Sequence, residues 1–113
     1  MLSEDERYDL FKCTLQKSSS NILSMNDDDF RYTLFEELPP DIISFLHNNT
    51  LDLLIDEGYI DETIYKKCSE LREIYIGEEK ILSKLSDMDK IRASTSFRRI
   101  IKLADEIINL LYI

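Results

Sequence analysis

The chain has 113 residues, 43% of them hydrophobic and 33% charged, with a formal net charge of −9. That length fits one domain, and the mixture is that of a globular chain rather than a disordered one. With two glycines and two prolines it is too poor in turn residues for a β-rich fold, and it has no apolar run long enough to span a membrane.

The acidic start, Met1-Leu2-Ser3-Glu4-Asp5-Glu6, lacks the apolar stretch of a secretory signal, so a cytoplasmic protein is expected. Ser3 and Glu6 have capping-box spacing, and Tyr8, Phe11 and Leu15 follow as an inward stripe until the serines near 18 end the first helix. Asn26 or Asp27 caps a second helix carrying Phe30, Leu34 and Leu38, which Pro39-Pro40 is expected to stop. A third helix is expected from Asp41 to about His47, with Ile42, Ile43, Phe45 and Leu46, until Asn48-Asn49 breaks it. Thr50 caps a short fourth helix with Leu51, Leu54 and Ile55, and Gly58 suits the left-handed position after it.

Asp61 caps a longer helix with Ile64, Cys68, Leu71 and Tyr75 inside. Gly77 is expected to weaken its end, with Glu78 to Leu85 either continuing after a kink or forming a separate helix. Ser94 or Ser96 caps the last helix. Its apolar face is Phe97, Ile100, Ile101, Ala104, Ile107, Ile108 and Leu111, and residues 89 and 90 could extend it backwards. The expected fold is all-α, a single-domain irregular bundle of five or six helices.

Few residues point to catalysis. His47 is the only histidine, and its expected role is a partly exposed side chain against the last carbonyls of its helix. Two glycines rule out a glycine-rich phosphate loop, and Cys13 and Cys68 are read as two buried thiols rather than zinc ligands. Asp56-Glu57-Gly58-Tyr59-Ile60-Asp61 is like the middle of an EF-hand. With Gly58 at loop position 6, however, Leu53 and Ile64 fall where calcium needs carboxylates. Neither a metal, a cofactor nor an enzymatic activity is expected.

The charge is one-sided. Residues 1–65 hold 15 acids and 4 bases, a net −11, whereas residues 66–113 hold 8 acids and 10 bases, a net +2. Between residues 27 and 62, eleven acids face one base, Arg31. Such a field repels nucleic acid and anionic lipid and attracts basic proteins. The candidate partner-binding residues are therefore Asp27, Asp28, Asp29, Glu36, Glu37, Asp41, Asp52, Asp56, Glu57, Asp61 and Glu62, with Tyr32 or Tyr59 as an aromatic anchor. The basic cluster Arg92, Arg98, Arg99 and Lys102 is interleaved with Asp105 and Glu106, as on an ordinary wet helix face.

Leu71-Arg72-Glu73 in a long helix, and the run from Phe97-Arg98-Arg99-Ile100-Ile101 to Ile107 in the last one, are similar to segments of the small acidic immunity proteins of bacterial toxin systems, including contact-dependent inhibition. That resemblance covers about half the chain. It implies a cytoplasmic inhibitor that binds a basic cognate toxin domain, such as a nuclease, and occludes its active site. Two alternatives are a phage-type nucleic-acid mimic that blocks a DNA-binding protein, and a small helical adaptor. A mimic would space its carboxylates along an extended stripe; an immunity protein needs only a compact patch with an aromatic anchor.

Overall fold

Every helix of this chain begins on a side chain that accepts a backbone N–H, which is how a chain so poor in glycine and proline sets its boundaries. The computed structural model describes residues 2–112. Among them lie six helices, one 3₁₀ turn and no strand. Helix α1 is Glu4–Ser18, and the 3₁₀ turn is Ser20–Ser24. Helix α2 runs unbroken over residues 27–45 as Asp27–Tyr32, a π-helical stretch Thr33–Glu37, and Leu38–Phe45. Then come α3 (Asn48–Asp56), α4 (Glu62–Ser83), α5 (Met88–Ala93) and α6 (Thr95–Leu111). The all-α bundle expected from the sequence is the fold.

Ser3 and Glu6 form the capping box reciprocally. Asn26, Asp61 and Ser94 cap α2, α4 and α6. Helix α3 ends in a Schellman motif: Gly58 N–H bonds the Ile55 carbonyl and Tyr59 N–H the Leu54 carbonyl, with Gly58 at φ +83°.

Several boundaries differ from expectation. Pro39-Pro40 does not stop α2. The preceding turn is widened, so that Leu38 N–H bonds the Thr33 carbonyl five residues back, and both prolines stand in the first turn of the α-segment that follows. Asn48-Asn49 starts α3 rather than breaking a helix, because His47 caps it by accepting the Asn49 N–H at Nδ1. His47 thus serves the start of the following helix, not the carbonyls of the preceding one. Thr50 is not the cap; its hydroxyl bonds the Ser44 carbonyl. Gly77 neither kinks nor ends α4, which runs to Ser83, and residues 88–93 form their own helix. Cys68 is buried as expected, but Cys13 is exposed.

The core is continuous. Helix α6 lies between α4 and α1, and α1 packs in turn on the second half of α2. Phe97, Ile100, Ile101, Ala104 and Ile107 are buried together with Phe11, Leu15, Leu71 and Cys68. Phe30 meets Phe97 edge to face, with ring centroids 5.4 Å apart. No described helix is long and apolar enough to cross a membrane.

Candidate partner-binding surface

The acidic block divides into two populations, one tied to the rest of the fold and one facing solvent without a counter-charge. Helix α2 carries half of the second, Asp28, Asp29 and Glu36, the others being Asp52, Asp56 and Asp61. Its first turn holds Asp27, Asp28 and Asp29 at the positive end of the helix dipole, with Asp29 N–H bonded to Asn26 Oδ1 at 2.8 Å. Asp27 pairs with Arg92 at 2.8 Å. Among the described residues Asp28, Asp29 and Glu36 have no ion-pair partner, and all three are exposed. Tyr32 lies one turn after Asp28 and one before Glu36, and is 58% exposed, the most exposed large hydrophobic side chain of this helix. Asp28, Arg31, Tyr32, Phe35 and Glu36 together line a shallow depression.

Arg31, the lone base of the block, does not pair with an acid there. It lies over the Phe35 ring, 5.2 Å from the centroid, and donates to the carbonyls of Ser83 and Leu85 where α4 ends. That is the negative end of the α4 dipole, so the charge of Arg31 is directed away from the acids of its own helix.

Arg92 fixes the same region from below. It bonds Asp27, Asp89 and the Met25 carbonyl, and its guanidinium sits 4.5 Å from the Phe30 centroid. The bonds to Asp27 and then Asp89 hold its pKa above the usual guanidinium value against the opposing effect of burial.

The remaining candidates, Asp56 apart, are engaged elsewhere. Glu37 and Asp41 clasp Lys17 of α1 at 3.1 and 3.0 Å, and the Asp41 bond, first among its causes, raises the Lys17 pKa. Glu57 is largely buried in an ion pair with Arg7. Tyr59 stacks on Tyr8 with centroids 4.4 Å apart and donates to Asp5 at 2.7 Å. That hydrogen bond, then burial, pushes its hydroxyl up to about 12. Asp61 caps α4, Glu62 makes an exposed pair with Lys66, and Asp52 lies beside the Tyr65 hydroxyl. Asp56 is exposed. No ion pair or side-chain hydrogen bond among the described residues links the acids of α2 to those of residues 52–62.

The basic cluster is similarly broken up. Arg92 is tied to α2, and Arg99 places Nη2 against both carboxylate oxygens of Glu70 at 2.9 and 3.0 Å. Arg98 and Lys102 remain exposed. The separation of free from paired acids was not visible in the sequence, since it depends on Arg7, Lys17 and Arg92 reaching across from other helices. The four-residue spacing of Asp28, Tyr32 and Glu36 is the signal that could have singled out the α2 face.

Compared with known proteins, the chain matches no family model, no curated protein and no solved structure.

Proposed function

We propose that this protein is an inhibitor of the immunity or antitoxin type, acting in the cytoplasm by binding a basic cognate toxin domain on the outward face of α2. The observation that carries the reading is the pairing of an exposed Tyr32 with uncompensated Asp28, Asp29 and Glu36 on one helix face. Carboxylates attract and orient a basic surface, and an aromatic ring supplies the desolvated contact area that charges alone do not. The face is also held in place before any partner arrives, by Arg92 at its start and Arg31 along its length. A nucleic-acid mimic fits less well, because Arg31 and Phe35 interrupt the row of carboxylates.

The test is affinity capture from the source organism followed by binding kinetics with the captured protein. Tyr32→Ala is expected to weaken binding tenfold or more, as an anchor should. Neutralising Asp28, Asp29 and Glu36 to Asn and Gln is expected to slow association and flatten its dependence on salt. Neutralising Asp52, Asp56, Asp61 and Glu62 is expected to leave both rates nearly unchanged. Unchanged affinity in a folded Tyr32→Ala variant would sink the proposal for this face.

A further inference from the structure

Gly77 lies within the 22-residue helix α4, where glycine is the weakest residue after proline because it surrenders the most backbone freedom. Nothing inside the chain requires it. Its backbone is helical rather than left-handed, and a Cβ built there meets no atom within 4 Å. The missing side chain leaves a notch on an exposed face, bordered by Glu73, Ile74 and, across from it, Ser96 and Arg99 of α6. One turn further on, Ile81 is 58% exposed.

The charges on this face are ordered about the notch. At about 100° per residue, Glu70, Glu73, Gly77, Lys80, Ile81 and Lys84 fall opposite the buried Cys68, Leu71, Tyr75 and Leu82. Glu70 and Glu73 precede Gly77 and Lys80 and Lys84 follow it, with Lys66 further back on the same arc. Glu70 stands seven residues before Gly77 and Lys84 seven after; Glu73 stands four before and Lys80 three after. Among the described residues Glu73, Lys80 and Lys84 have no ion-pair partner, whereas Glu70 is held by Arg99. A second copy of α4 laid antiparallel, glycine against glycine, therefore sets Lys80 against Ile74 and beside Glu73, Ile81 against Glu73, and Lys84 against the Glu70–Arg99 pair, twice by symmetry. That is the self-complementarity a two-fold interface demands.

We infer that this face is a homodimer interface, in which two copies of α4 cross antiparallel at Gly77 and the absent side chains let the backbones approach closely. Ile81 of each copy is covered by the α4 of the other, and the pairs on either side fix the register. The interface adjoins the acidic face of α2 at Lys84, which lines a depression with Asp27 and Asp28, but its test at Gly77, Glu73 and Lys80 touches none of the residues proposed above, and a dimer would present that face twice.

Sedimentation of the full chain from micromolar to millimolar concentration tests the inference. The wild-type chain is expected to dimerise reversibly. Gly77→Leu is expected to yield a monomer with unchanged far-UV circular dichroism and an equal or higher melting temperature, since the new side chain meets nothing in its own chain. Glu73→Lys and Lys80→Glu are each expected to weaken the dimer roughly tenfold, as symmetry counts each change twice. Mixed together, the two variants are expected to form a heterodimer tighter than either homodimer. A wild-type chain that stays monomeric at millimolar concentration overturns the inference. So does a dimer that survives Gly77→Leu, or a mixture that shows no preference for the heterodimer.

Discussion

The Tyr75 hydroxyl of α4 donates to the Leu34 carbonyl of α2 at 2.6 Å, with both residues buried. In the π register of that stretch, the carbonyl of Leu34 would await an N–H from residue 39, and residue 39 is proline. A phenol from another helix thus supplies the donor that the backbone lacks. Burial, and secondarily the charge of Glu79, drives the Tyr75 pKa upward, so the hydroxyl keeps its proton and remains a donor. Tyr75→Phe should cost about 1–3 kcal/mol by leaving a buried carbonyl unpaired. Pro39→Ala restores an N–H, and in the Tyr75→Phe background it should recover part of that loss. Urea unfolding of the four chains of this cycle measures the coupling; strict additivity would show that the two sites do not share the carbonyl.

Gly58 is the one described residue with a positive φ, and Tyr59 follows it directly into the Schellman bond. Gly58→Ala should destabilise the chain by about 1–2 kcal/mol from left-handed strain alone, because the added Cβ meets no neighbour. Thermal unfolding that shows no loss would mean that the turn relaxes out of this conformation.

Ile101 is 5% exposed and Lys102 beside it faces solvent. Ile101→Ala should cost about 2–5 kcal/mol by opening a cavity, whereas Lys102→Ala should change stability by less than about 0.5 kcal/mol. Equal effects at the two positions would place the buried face of α6 wrongly.

The two thiols should behave differently. Cys13 is exposed, while burial pushes Cys68 up to about 12 from an ordinary 9.0. An aromatic disulfide reagent at mildly alkaline pH should modify one thiol per native chain quickly and the second only on unfolding. Linkage fixes the sign of the pH effect: the folded state retains the Cys68 proton after the unfolded chain has lost it. The corresponding stability is complete below pH 9 and declines as pH rises towards about 12. Cys68→Ala should lessen that alkaline decline, as read by denaturant titration at several pH values.

Local signals revealed more of the fold than of the surface. Ser3, Asn26, Asp61, Ser94 and Gly58 act through neighbours two to four residues away, so their roles could be read from spacing. The face of α6 was legible because period 3.6 is a local property. Pro39-Pro40 misled because the compensating π turn lies upstream and its carbonyl is satisfied by Tyr75, 41 residues away. His47 misled because imidazole is an uncommon cap. In the acidic block, charge alone could not show that Glu57 is buried against Arg7 while Glu36 stands free; that needed α1 and α2 in place.

The π stretch has a further consequence for how strictly α2 counts its residues. Phe30, Leu34, Leu38 and Ile42 repeat at intervals of four and are all 0–1% exposed. An α-helix gains about 40° for every four residues, so over these three steps the row would swing by about 120° and carry Ile42 off the core. The wider turn takes up part of that drift. It does the same for the outward row of Asp28, Tyr32 and Glu36. Deleting one residue from 33–37 would let the wide turn close to an ordinary α turn: eleven steps of about 100° bring Ile42 to within about 20° of Phe30, so both rows keep their faces. At this point the helix holds one residue more than an α turn needs, and that extra residue sets the phase of both rows.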